Sequence, residues 1–184
     1  MTIAQQRGIT TGVKGTSGVA INRGQVAQMA FNALDVPLMT QTGFGTYIEY
    51  VINDGSGTTD RKTLLSENLD IVKLKATVIE SYDLSSANKQ NQVKIEVVNA
   101  YDSIYEDDEF AKGNMVTIDA GVTNIKSLVG YNVILYVSYD NSYDDDPIAL
   151  YVRKDLAGTD EITIAASDIE SVTNVSGDYY EIQY

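Results

Sequence analysis

Residues 140–146 read Asp-Asn-Ser-Tyr-Asp-Asp-Asp. Asp140, Asn141, Asp144, Asp145 and Asp146 put hard oxygen donors on a predicted hairpin tip, the ligand chemistry that calcium takes from loops. The spaced acids, central glycine and closing glutamate of an EF-hand do not occur together here. The alternative is a solvated loop whose charge keeps strand edges apart. Two further clusters offer the same donors: Glu106-Asp107-Asp108-Glu109 in a connection, and Asn53-Asp54 with Asp60 around a glycine-rich loop.

The chain has no cysteine and no histidine. That removes disulfides, thiolate metal sites and thiol nucleophiles. It also removes the general base of Ser-His-Asp hydrolases and the usual ligand of zinc hydrolases. Carboxylate-only chemistry such as glycoside hydrolysis survives, but 26 Asp and Glu residues single out no pair. The expectation is a non-enzymatic protein. A net charge of -13 offers no basic stripe to phosphates and disfavours an anionic membrane surface. Nucleic acid and membrane are therefore not expected partners. No run approaches the ~20 apolar residues of a spanning helix. Residues 1–8 lack the apolar stretch of a signal peptide, so the signal of an exported protein is expected upstream. Thirteen tyrosines against three phenylalanines suit half-exposed strands and binding surfaces.

Strands must hold these loops. Residues 69–82 alternate Val72, Leu74, Ala76 and Val78 with polar neighbours, and residues 92–100 do the same with Val93, Ile95 and Val97. Together they predict a hairpin around a polar tip. Residues 131–139 and 147–153 predict a second hairpin, with Val133, Leu135 and Val137 inward and the acidic cluster at its tip. Between the hairpins lie a short strand at 115–119 and a helical turn at 124–130 closed by Gly130. Residues 44–52, 161–165, 169–172 and 179–184 are further strand candidates, and 61–68 is a short piece of undecided type. The last strand, YYEIQY, closes its own sheet or adds to a neighbour's edge. The fold class expected is mainly β: an antiparallel sandwich or a small OB- or SH3-like barrel, with one N-terminal amphipathic α-helix.

That helix obeys start and stop rules throughout. Asn22 stands at the N-cap, Gln25 completes a capping box, and Ile21 and Val26 are placed for a hydrophobic staple. Val26, Met29, Ala30, Ala33 and Leu34 form an apolar face, Gln28 and Asn32 fall on the polar side, and Pro37 bars continuation. Upstream, Gly8-Ile9-Thr10-Thr11-Gly12 leads through a Gly/Ser-rich loop to Ile21-Asn22-Arg23-Gly24-Gln25. Turn, cap and helix together resemble the second half of an S-layer homology (SLH) repeat, over residues 7–38. Asn22, Gly24 and Gln25 stand where the family usually has Thr, Ala and Glu, while Arg23 keeps its place. The following residues, from Ala33 through Arg61 to Asp70, are similar to the region after the last SLH repeat of clostridial-type surface proteins.

The resemblance implies an extracellular place on the cell surface or cell wall of a Gram-positive bacterium. It implies tethering to a secondary cell-wall polymer, with Arg23 facing an anionic sugar at a helix N-terminus beside Asn22 and Gln25. Residues 1–40 form the partial SLH-like segment: the trailing edge of a longer array, or a helix packed on the acidic β domain of 41–184. The function expected is a structural or assembly component of the bacterial surface, partnered by its own copies or other envelope proteins. The alternatives are a wall-polysaccharide module using Arg23 and exposed tyrosines, and a calcium-dependent assembly protein using the 140–146 loop.

Overall fold

Alternation with period two turns Val72, Leu74, Ala76 and Val78 to one side of a strand, and all four are fully buried. The computed structural model describes residues 2–15, 18–57, 59–82, 90–102, 109–138, 146–157, 162–176 and 179–184. Among these, the helices are α1 (Ile3–Gln6), α2 (Arg23–Leu34) and α3 (Leu64–Asn68), with single 3-10 turns at Ile125–Leu128 and Ala166–Asp168. The strands are β1 (Met39–Gln41), β2 (Tyr50–Ile52), β3 (Ile71–Ser81), β4 (Gln92–Ala100), β5 (Met115–Asp119), β6 (Asn132–Ser138), β7 (Ile148–Lys154), β8 (Ser171–Ser176) and β9 (Tyr179–Gln183). The protein is mainly β, and no helix is long and apolar enough to cross a membrane.

β3 pairs antiparallel with β4 on one side and β6 on the other. β4 continues to β5, and β6 to β7, again antiparallel. One parallel bridge, Asp119 to Ile148, joins β5 to β7. The pairings thus run β3-β4-β5-β7-β6 and return to β3. The sheet is mainly antiparallel, as expected, but mixed, with one parallel pair. The reason is geometric: five strands in a ring cannot alternate direction throughout, so one pair must run parallel. Register shifts at Lys75/Ala76, Val78/Glu80 and Tyr136/Val137 mark bulges that bend the strands toward closure.

The ring encloses one core. Val93, Ile95 and Val97 from β4, Val116 and Ile118 from β5, and Val133, Leu135 and Val137 from β6 meet the β3 residues there. Phe110, from the connection between β4 and β5, and Ile125 and Leu128, from the first 3-10 turn, belong to the same core. Burial of each such large side chain stabilises by about 1.5–3 kcal/mol.

Outside the ring the sequence expectations need more correction. The strand predicted over 44–52 shrinks to β2, which pairs with β1. A Cβ on Gly43 would lie 2.5 Å from the Tyr47 carbonyl oxygen, and Gly45 has φ +81, so the chain turns there instead of extending. Residues 162–165 form no strand, and β8 begins at Ser171 to pair with β9. The undecided 61–68 piece becomes α3, capped by Thr63. α2 starts and stops as expected, with the Asn22–Gln25 capping box formed. Its apolar face is only partly covered: Met29, Ala33 and Leu34 are half-buried, while Val26, Ala30 and Ile21 are exposed.

Candidate functional site

Asp35 caps the C-terminus of α2. Its carboxylate accepts from Arg61 Nη2 at 3.1 Å and from Lys73 Nζ at 2.5 Å, and its main-chain oxygen accepts from Arg61 Nη2 at 2.9 Å. Through Nη1 the same guanidinium donates to Asp102, which is buried and also accepts from Thr63 Oγ1 at 2.8 Å. Lys73 Nζ stands 4.4 Å from the centroid of the Tyr101 ring and 5.9 Å from that of Tyr136. The network ties the end of α2 to β3 and to the turn after β4.

The glycine turn is tied to α2 as well. Gly8 and Gly12 take φ +77 and +75, which suits glycine. Asn32 Nδ2 donates to the carbonyls of Ile9 at 2.9 Å and Thr11 at 2.8 Å, while Gln28 Nε2 donates to Asn32 Oδ1 at 2.9 Å. The polar side of the helix therefore serves as a clasp on residues 8–12.

A cleft of about 440 Å³ lies between this helix-turn unit and β6–β7. Arg7, Lys73 and Arg153 bring three cations to it, and Phe31, Tyr136 and Tyr151 bring rings. Tyr136 and Tyr151 are directly opposed across β6 and β7, centroids 5.8 Å apart and planes at 68°. Burial pushes the Tyr136 phenol above its ordinary range, and the Asp35 carboxylate adds to the push. That phenol stays a hydrogen-bond donor at neutral pH. An apolar hollow of about 260 Å³ adjoins, sharing the three rings and adding Leu34, Leu65 and Leu150. Asp35 lines the cleft too, paired with Lys73, so the lining combines two exposed arginines with rings and aliphatic side chains.

No family model, no curated protein and no solved structure matches the chain.

The residues singled out from sequence lie elsewhere. Asn22 Oδ1 accepts from Gln25 N at 2.9 Å and Gln25 Oε1 accepts from Asn22 N at 2.8 Å. Gln25 Nε2 also donates to the Lys14 carbonyl, so both side chains are committed to the local fold. Arg23 is exposed and does not line the cleft. Asp140, Asn141, Asp144 and Asp145 lie outside the described residues, as do Glu106, Asp107 and Asp108. Asp146 is described, and its carboxylate accepts from Gln92 Nε2. Among the described residues no group of three or more acidic side chains converges as a metal site. Asp54 instead accepts from Ser56 Oγ at 2.6 Å and Ser56 N at 3.0 Å, and these bonds hold its carboxyl below the ordinary 3.8.

The cleft residues carry weak local signals. Tyr136 and Tyr151 follow from the hairpin register once the register is known. Arg7, Lys73 and Arg153 come from distant segments, and no local pattern joins them.

Two ribbons lie outside the ring. β8 and β9 pair with each other and pack broadly against no other described element. Val172 opposes Ile182 and Asn174 opposes Tyr180. Val172, Tyr180 and Ile182 on that face are 58%, 62% and 45% exposed. The β1–β2 ribbon likewise exposes Met39 and Tyr50, with Phe44 and Tyr47 in its connection.

Proposed function

We propose that this chain is a non-enzymatic structural subunit of the bacterial cell surface that assembles with its own copies. The observation that carries this reading is the β8–β9 ribbon with its exposed apolar face. A two-stranded ribbon is marginal by itself in water, and an apolar face of this kind is stabilised by a partner. The ring of β3–β7 returns on itself, so the ribbons are the natural places for a strand or sheet to be added. The strand order and its parallel closing pair support an OB-like barrel over a sandwich. Surface location rests on the resemblance of residues 7–38 to half an SLH repeat, supported by the capped α2 and the glycine turn clasped to it.

Sedimentation velocity over a wide concentration range, with electron microscopy of the upper range, tests the assembly reading. Larger species that grow with concentration are expected, and a monomer at every concentration overturns it. A second reading, wall-polysaccharide binding, is favoured by Arg23, exposed at the N-terminus of α2. It requires that the protein pellet with Gram-positive sacculi and that Arg23→Ala abolish pelleting; unchanged pelleting removes it. A calcium-dependent form of assembly draws on residues 140–146. Chelation that changes neither Tm nor assembly state removes that form.

A further inference from the structure

We infer that assembly is head-to-tail: the β8–β9 ribbon of one copy docks in the cleft between α2 and β6–β7 of the next. The inference rests on the assembly reading and names its two surfaces. Charge is the first argument. Residues 155–184 hold seven Asp and Glu and no Lys or Arg, whereas residues 1–38 hold three Lys and Arg and a single acid. In a chain of net charge -13, the N-terminal segment is thus a rare cationic stretch, and it forms one wall of the cleft. Lys73 is engaged by Asp35, but Arg7 and Arg153 are exposed and form no direct ion pair with a described residue, acting on Asp54 and Asp155 only from longer range.

Apolar complementarity is the second argument. Val172, Tyr180 and Ile182 lie on one face of the ribbon, and the hollow beside the cleft presents Phe31, Leu150 and Tyr151. A ribbon inserted in a cleft touches both walls. Its apolar face meets the hollow, while Glu181, paired with Thr173 on the opposite face, and Glu170, just before β8, are exposed and reach the arginines. The two surfaces differ, so the contact is heterologous and propagates as an open filament or closes as a ring. Opposite charges also steer encounter and exclude ribbon-to-ribbon contact.

Charge exchange on the full chain tests this. One variant carries Arg7→Glu and Arg153→Glu, and the other carries Glu170→Lys and Glu181→Lys. All four positions are exposed, so the fold tolerates them. Each variant alone then presents like charges at its two surfaces. The concentration for half-assembly, read by sedimentation velocity, should rise at least about ten-fold for each. An equimolar mixture should recover wild-type assembly by alternation. If either variant alone assembles like wild type, or the mixture stays monomeric while wild type assembles, the docking is overturned and the assembly reading stands. If wild type itself is monomeric throughout, both fall. If the arginine variant loses binding to sacculi while assembling normally, the cleft serves a wall polymer and the docking is overturned.

Discussion

Asp102 is 2% exposed, and its two carboxylate oxygens accept from Arg61 and Thr63. Removing one member of a buried charged network leaves the other desolvated. Asp102→Ala should therefore cost about 3 kcal/mol in urea denaturation. Lys75 and Asp155 form a more open pair, Nζ to Oδ2 at 2.8 Å. The hydrogen bond from Lys75 holds the Asp155 carboxyl below its ordinary 3.8, and the bond to Asp155 holds the Lys75 ammonium above 10.5. The contribution of Asp155 is therefore whole above 3.8 and is lost as pH falls through the folded-state value beneath it. That of Lys75 is whole below 10.5 and is lost as pH rises through the higher folded-state value. Asp155→Asn should lower Tm at pH 7 and flatten its decline on acidification below about pH 4. A decline as steep as in wild type would refute this account of the pair.

At the scale of elements, α2 depends on its cap and its clasp. Asn22→Ala should destabilise by about 1 kcal/mol through loss of the N-cap bond. Asn32→Ala removes two bonds to the glycine turn, and hydrogen exchange should show faster opening at the amides of Ile9 and Thr11 while the β3 amides keep their protection. The strands β3, β4 and β6 are legible from sequence because each buries one face over most of its length, so burial writes period two into the residues. The helix α2 is legible because caps act locally. The 44–52 strand misleads because Tyr47 and Ile48 alternate well, while the close approach at Gly43 that breaks it depends on backbone folding no window reveals. The cleft is illegible for the same reason. Lys73, Tyr136 and Arg153 come together through the β3–β6–β7 register, while Arg7 and Phe31 are brought to them by α2 and its turn, which Arg61 and Asn32 tie down.

For the whole molecule, charge asymmetry between the ends of the chain gives a salt dependence. Exposed charges are largely screened beyond a Debye length of about 8 Å at physiological ionic strength. Raising salt should therefore weaken assembly of wild type, and should rescue each charge-reversed variant partially. An assembly strengthened by salt in wild type would indicate a purely apolar contact. Closure of the ring also has a consequence for how long the fold lasts. Among the described residues β5 and β7 are joined by the single Asp119–Ile148 bridge, in which Asp119 N donates to the Pro147 carbonyl at 2.8 Å. A seam this narrow, between strands that are not hairpin neighbours, forms late, after β3–β4 and β6–β7 have zipped. A Cβ on Gly121, at φ +55, would come 2.5 Å from the Ala149 carbonyl oxygen, so Gly121→Ala strains that seam. In a chevron plot this variant should steepen neither arm, barely slow refolding and speed unfolding. The lifetime of the folded protein would then be governed by how seldom this seam unzips.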